Sequence, residues 1–113
     1  MNREEILALS DDEINRLIAT KWMGWTLEGN AYFSDEVVLY ANNWSPSTSI
    51  SDAMEALEKF RVKKIFSEIK LGVDGYVIVI HKDLYNIIVG YDEISLPKAI
   101  CQCILLYLNE MRD

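Results

Sequence analysis

The stretch Ser95 to Met111, SLPKAICQCILLYLNEM, constrains the fold more than any other. Pro97 falls in a first helical turn, where a missing N–H costs nothing, and Ser95 just before it is placed to cap the free amides. Ala99, Ile100, Cys103, Ile104, Tyr107, Leu108 and Met111 recur at the spacing of one helix face. Cys101, Leu105 and Leu106 extend apolar character most of the way round the cylinder. Such a helix requires cover on two sides, one from its own domain and one from something else. The simplest second cover is another copy, so the sequence predicts a homo-oligomer, most simply a two-fold dimer, built through this helix or through an open sheet face.

Upstream, Ser10-Asp11-Asp12-Glu13 is a capping box, and Ile14, Leu17, Ile18 and Trp22 continue it as a helical stripe that should stop at Gly24. Tyr32-Phe33 and Val37-Val38-Leu39-Tyr40 read as two short strands joined by Ser34-Asp35-Glu36. Ile50, Ala53, Met54, Leu57 and Phe60 mark a second helix over 51–62, with Glu55 and Lys59 expected as an ion pair on its wet face. Three strands follow, over 65–70, 76–80 and 85–91. They are joined by turns at Val73-Asp74-Gly75 and His81-Lys82-Asp83, which are too short for crossovers. The strands must therefore form an antiparallel meander. The runs Tyr76–Ile80 and Ile87–Val89 want cover on both faces, which the last two helices supply on one side. The first helix, the aromatic segment or a second subunit would supply it on the other.

The expectation is thus an α+β fold, a three-layer α/β/α sandwich with a helix-strand-strand-strand-helix core plus an N-terminal helix and an aromatic hairpin. At 113 residues it is a single domain, divided into an N-terminal helical region (1–24), an aromatic hairpin and loop (25–50) and the core (51–113).

Charge and motif content remove several functions. The net charge is −7, with eight acids in the first fifty residues against Arg3, Arg16 and Lys21, and the only basic group is Lys59, Arg61, Lys63 and Lys64. Nucleic acid is not an expected partner, because neutralising phosphates needs a basic face. The order from Ser51 onward is also that of double-stranded RNA-binding domains, but their last helix opens on a basic cluster where this one has Lys98 beside Asp92 and Glu93. No signal peptide or membrane span is evident, so a cytoplasmic location is expected. Cys101 and Cys103 point about 200° apart on a helix, which rules out a disulfide or a shared metal and leaves buried free thiols. His81 is the only histidine, and no phosphate loop or nucleophile elbow occurs. No catalytic residue, metal site or cofactor is assigned, and the chain is expected not to be an enzyme.

Three pieces taken in order carry a family likeness: Met23-Gly24-Trp25 after the first helix, Trp44-Ser45-Pro46-Ser47-Thr48 opening the second, and Ala99-Ile100-Cys101 in the last. Together they resemble the phage ABA sandwich domain family. Ser49 stands where the family has an acidic residue and Cys103 where it has a small alanine. The resemblance implies a bacteriophage or prophage origin, hence action inside a bacterial host cell, and the same layered sandwich, but it brings no catalytic residue with it.

The candidate site is the polar loop Asn42 to Ser49. Ser45, Ser47, Thr48 and Ser49 sit at a helix start that attracts phosphate or carboxylate, and Trp25, Tyr40 and Trp44 offer faces on which an adenine could stack. The rival reading of the same residues is that Ser47 or Ser49 caps the helix and Trp44 packs into the core. In a phage protein, the first reading implies sequestration of a nucleotide-derived host defence signal without turnover. The alternative is a protein-interaction module acting on a host or phage protein.

Overall fold

A computed structural model of the chain describes residues 1–73, 75–82, 85–91 and 95–111, with 82 and 85–91 described through their backbone alone. Asp74, Asp83, Asp92 and Glu93, which the sequence places in turns and ahead of the last helix, lie outside the described residues.

The chain runs through a short helix α1 (Arg3–Leu7), a helix α2 (Asp11–Leu17) continued by a π-helical turn (Ile18–Trp22), and three strands, β1 (Thr26–Glu28), β2 (Ala31–Phe33) and β3 (Val38–Tyr40). A 3-10 turn (Ala41–Asn43) then leads to α3 (Ile50–Val62), a second set of strands β4 (Phe66–Leu71), β5 (Tyr76–Lys82) and β6 (Tyr85–Tyr91), and α4 (Leu96–Glu110). Both sheets are antiparallel meanders, in the orders β1-β2-β3 and β4-β5-β6. The α+β class and the α-β-β-β-α core are those expected.

The predicted caps form. Ser10 accepts from the Glu13 amide while the Glu13 carboxylate reaches back to Ser10, where it accepts from both the amide and the hydroxyl, and these last two bonds hold that carboxyl below the usual glutamate range. Ser95 accepts from the Lys98 amide at the start of α4, with Pro97 in the first turn. Gly24 ends the first helical run at φ +77°, where a side chain would be strained. Two elements escape the sequence reading. Helix α1 is a bare five residues capped by its own Asn2–Glu5 box, and β1 has only Leu27 as an inward apolar residue.

The large sheet presents Ile69, Ile78 and Ile80 to the core, since direct partners Ile69 and Ile78 share a face and Ile80 lies two residues on. Helix α4 packs on that face against β5 and β6, with α3 beside it, and the Cys103 thiol lies 3.9 Å from the Ile78 carbonyl. The N-terminal helices and the π-helical turn pack against α4 itself. The helix is therefore enclosed by its own chain, with Ile100, Cys101, Cys103 and Ile104 fully buried. This corrects the inference that its apolar surround needs cover from outside the domain. That inference failed because α1 adds one more covering element. The opposite sheet face carries exposed Phe66 and Lys70 around a His81–Glu68 hydrogen bond of 2.8 Å, so His81 is a strand residue with a carboxylate partner and not a turn residue.

At the junction of α3, α4 and the π-helical turn, Phe60 lies 4.6 Å from the Trp22 ring and 5.0 Å from the Tyr107 ring, and the Trp22 indole N–H donates to the Ala56 carbonyl at 2.8 Å. Lys59 is drawn into this cluster. Its ammonium donates to the Trp22 carbonyl at 2.5 Å and sits over the indole, as Lys63 does. The expected Glu55–Lys59 pair is thus replaced, because an unpaired carbonyl and an aromatic face hold the cation better than an exposed carboxylate does. Partial burial, with the nearby Lys63 charge, lowers the Lys59 pKa from its ordinary value. Phe60→Ala should remove the shared contact of three elements and destabilise the fold by about 3–5 kcal/mol in chemical denaturation. A loss below 1 kcal/mol would show that the cluster is not packed as described.

Candidate functional site

The residues proposed as a ligand site are brought together, but as a structural joint. Helix α2 presents Asn15 to the loop that precedes α3. The Asn15 side-chain amide donates to Ser45 Oγ at 3.4 Å, its oxygen accepts from the Ser47 amide at 2.9 Å, and its main-chain carbonyl accepts from the Trp44 indole at 3.1 Å. From the other side, the Asp52 carboxylate accepts from the Ser45 amide at 2.9 Å. The Ser49 hydroxyl caps α3 by accepting from the Asp52 amide at 3.2 Å. The Thr48 and Ser49 amides bond back to the Ser45 carbonyl at 3.1 and 2.7 Å, and the Ser45 and Thr48 hydroxyls face each other at 2.5 Å.

This bonding decides the electrostatics. The loop amides of Ser45, Ser47, Thr48 and Ser49 are occupied, as is that of Asp52 in the first turn of α3, which leaves an anion there only the Ile50 and Ser51 amides of the helix start. The Asp52 carboxylate stands in the first turn of α3, where an incoming phosphate would meet its charge. The Ser47 hydroxyl is buried, at 1% exposure, without a hydrogen-bond partner.

The aromatic residues divide in two. Trp44 and Trp25 are 2% and 8% exposed and meet edge to face at 4.7 Å, with Tyr32 beyond Trp25 at 6.0 Å. They form the satellite core beneath the small sheet and offer no ring face to solvent. Tyr40 is separated from them: it is 62% exposed, on the outward side of β3. Of the seven residues Trp25, Tyr40, Trp44, Ser45, Ser47, Thr48 and Ser49, the fold brings all but Tyr40 into one cluster, in which Trp25, Trp44 and Ser47 are buried, Ser45 and Ser49 half-buried and Thr48 exposed.

The sequence reading missed an apolar cleft of about 480 Å³ walled by Met1, Ile6, Leu17, Lys21, Leu105, Leu108 and Asn109. It lies where α1 and the π-helical turn meet α4, and α1 is too short to announce itself by periodicity. Leu105 and Leu108 on its α4 wall are among the apolar residues that the sequence places round that helix. Among the described residues no three metal-ligating side chains gather, and no helix is long and apolar enough to cross a membrane.

The phage ABA sandwich domain profile matches residues 16–103, and the chain belongs to that family. The fold is also that of a phage protein from Bacillus cereus ATCC 14579 known by crystallography. The two are 20% identical with a TM-score of 0.70, and the alignment covers 90% of each chain. No curated protein sequence matches.

Two outcomes check the joint. Asn15→Ala leaves the buried Ser47 amide without an acceptor and should cost about 1–3 kcal/mol in urea denaturation with the slope unchanged; an unaltered midpoint would mean the loop is not held by Asn15. The second concerns Cys101 and Cys103, whose burial raises both thiol pKa values, Cys103 up to about 12. Since the thiolate is the reactive form, labelling by a thiol reagent at neutral pH should proceed only at the rate of unfolding. Rapid labelling of the native protein would contradict their placement.

Proposed function

We propose that this chain is a non-catalytic phage accessory protein that acts in the cytoplasm of a bacterial host by binding another protein through its surface. Family membership and the fold it shares with a phage protein support the phage assignment. The observation that carries the mode of action is the closure of the loop before α3: the amides of Trp44, Ser45, Ser47, Thr48 and Ser49 bond within the chain, and Trp44 and Trp25 face the core. Exposed apolar side chains gather elsewhere, among them Phe33, Val38 and Tyr40 on the small sheet.

The other reading, sequestration of a small nucleotide-derived defence signal, draws support from the cleft along α4. Its volume suits a small ligand, and Lys21 stands on its wall to meet an anion. Under that reading the ligand lies against Leu105 and Leu108 and not against Trp44. A two-fold dimer remains compatible with either reading, built through exposed surface and not through α4.

Thermal melts with adenine nucleotides and cyclic ADP-ribose-like ligands separate the two. A ligand at a hundredfold excess over its Kd stabilises by about 2.7 kcal/mol, a shift of several degrees in a domain this size. The protein-binding reading expects no shift with any of them. A shift that Lys21→Ala removes and Tyr40→Ala leaves would establish sequestration in the cleft instead.

A further inference from the structure

The outer face of the small sheet combines two features that point to one kind of partner. The register sets Phe33 opposite Val38 and Ala31 opposite Tyr40, so these four side chains and those of Thr26 and Glu28 lie on one face. Leu27, Tyr32 and Leu39 point the other way, into the core. Phe33, Val38 and Tyr40 are 36%, 76% and 62% exposed, a contiguous apolar and aromatic surface on two short paired strands.

The second feature is charge. From residue 22 to residue 58 the chain holds no Lys, Arg or His, while Glu28, Asp35, Glu36, Asp52, Glu55 and Glu58 all fall within it. Glu28 stands on the same sheet face, and Asp35 and Glu36 form the turn between β2 and β3; all three are exposed. Among the described residues none of these three carboxylates has an ion pair. The exposed apolar residues along α3 and β4 differ in this respect, since Glu58 and Glu68 there pair with Arg61 and Lys70.

We propose that this face docks a cationic protein surface, one that presents lysine or arginine around an aliphatic contact; this rests on the protein-binding reading above. The aliphatic stems of such residues cover Val38, their charged heads lie over the Phe33 and Tyr40 rings, and the uncompensated carboxylates of Glu28, Asp35 and Glu36 complete the field.

The test uses the intact protein and a fluorescent peptide of alternating arginine and leucine, with a glutamate–leucine peptide for comparison, followed by anisotropy at low and at physiological salt. The arginine–leucine peptide should bind, more weakly as salt rises. Phe33→Ser with Tyr40→Ser should weaken binding by about tenfold or more, and Asp35→Asn with Glu36→Gln by several-fold. Glu4→Gln with Asp12→Asn, the same charge change elsewhere, should leave it unaltered. Circular dichroism checks that each variant folds, and Tyr40→Ser alone replaces the double variant if that one does not. The proposal is overturned if the arginine–leucine peptide fails to bind, if the aromatic variant binds as the parent does, or if the remote neutralisation weakens binding equally. Equal binding of the glutamate–leucine peptide, lost in the aromatic variant, would overturn the cationic partner while leaving the protein-binding reading intact. A nucleotide-induced shift in the melts above would remove that reading itself.

Discussion

Enclosure of α4 is the constraint on which the rest of the structure depends. A helix apolar round most of its circumference stays in water only if every side is taken up, and the large sheet, α3 and the N-terminal helices each take one. The large sheet meets it through Ile78 and Ile80, α3 through Phe60 against Tyr107, and the N-terminal helices together with the π-helical turn close the remainder. Burial of this kind supplies about 1.5–3 kcal/mol per large apolar side chain, so the N-terminal segment is held by the same contacts that complete the core. The small sheet and its loop are a consequence. They lie between α2 and α3, and Asn15 and Asp52 tie them to both helices.

What the sequence disclosed and what it hid follow from the range of the signals. Local signals read well: Ser10, Gly24, Ser95 and Pro97 mark helix ends through bonds made within one turn, and the alternation or β-branching of residues 66–91 marks strands. Signals that depend on distant partners did not. Helix α1 is one turn and a half, with Ile6 its only buried residue, so it has no period to detect, and without it α4 appeared to lack a cover. Lys59 looked like a solvated i, i+4 partner of Glu55 until the fold brought the Trp22 carbonyl to it from thirty-seven positions away.

The candidate site shows the same division. Hydroxyls and amides at a helix start, with tryptophans nearby, describe an anion-binding aromatic pocket and a capped, packed joint equally well; which one forms depends on what Asn15 and Asp52 do. Neither residue stood out in the sequence, since one is a mid-helix asparagine and the other a first-turn aspartate. Once both bond to the loop, Trp44 is fixed through its indole N–H with its faces against Trp25 and the core, and Tyr40 is left outside on the opposite side of the small sheet. The exposed aromatic surface is therefore on the outer face of the small sheet, where Tyr40 stands with Phe33 and not with Trp25 and Trp44, and its surroundings are acidic.

The inward orientation of the tryptophans is the central claim, and iodide quenching of intrinsic fluorescence tests it most directly. Trp22, Trp25 and Trp44 are the only tryptophans, and all are buried. The account expects emission at the short-wavelength end of the tryptophan range, quenching by iodide far below that of the unfolded chain, and no change on adding adenine nucleotides. A fraction of the emission corresponding to one tryptophan that iodide quenches freely, and that an adenine nucleotide then protects, would contradict it.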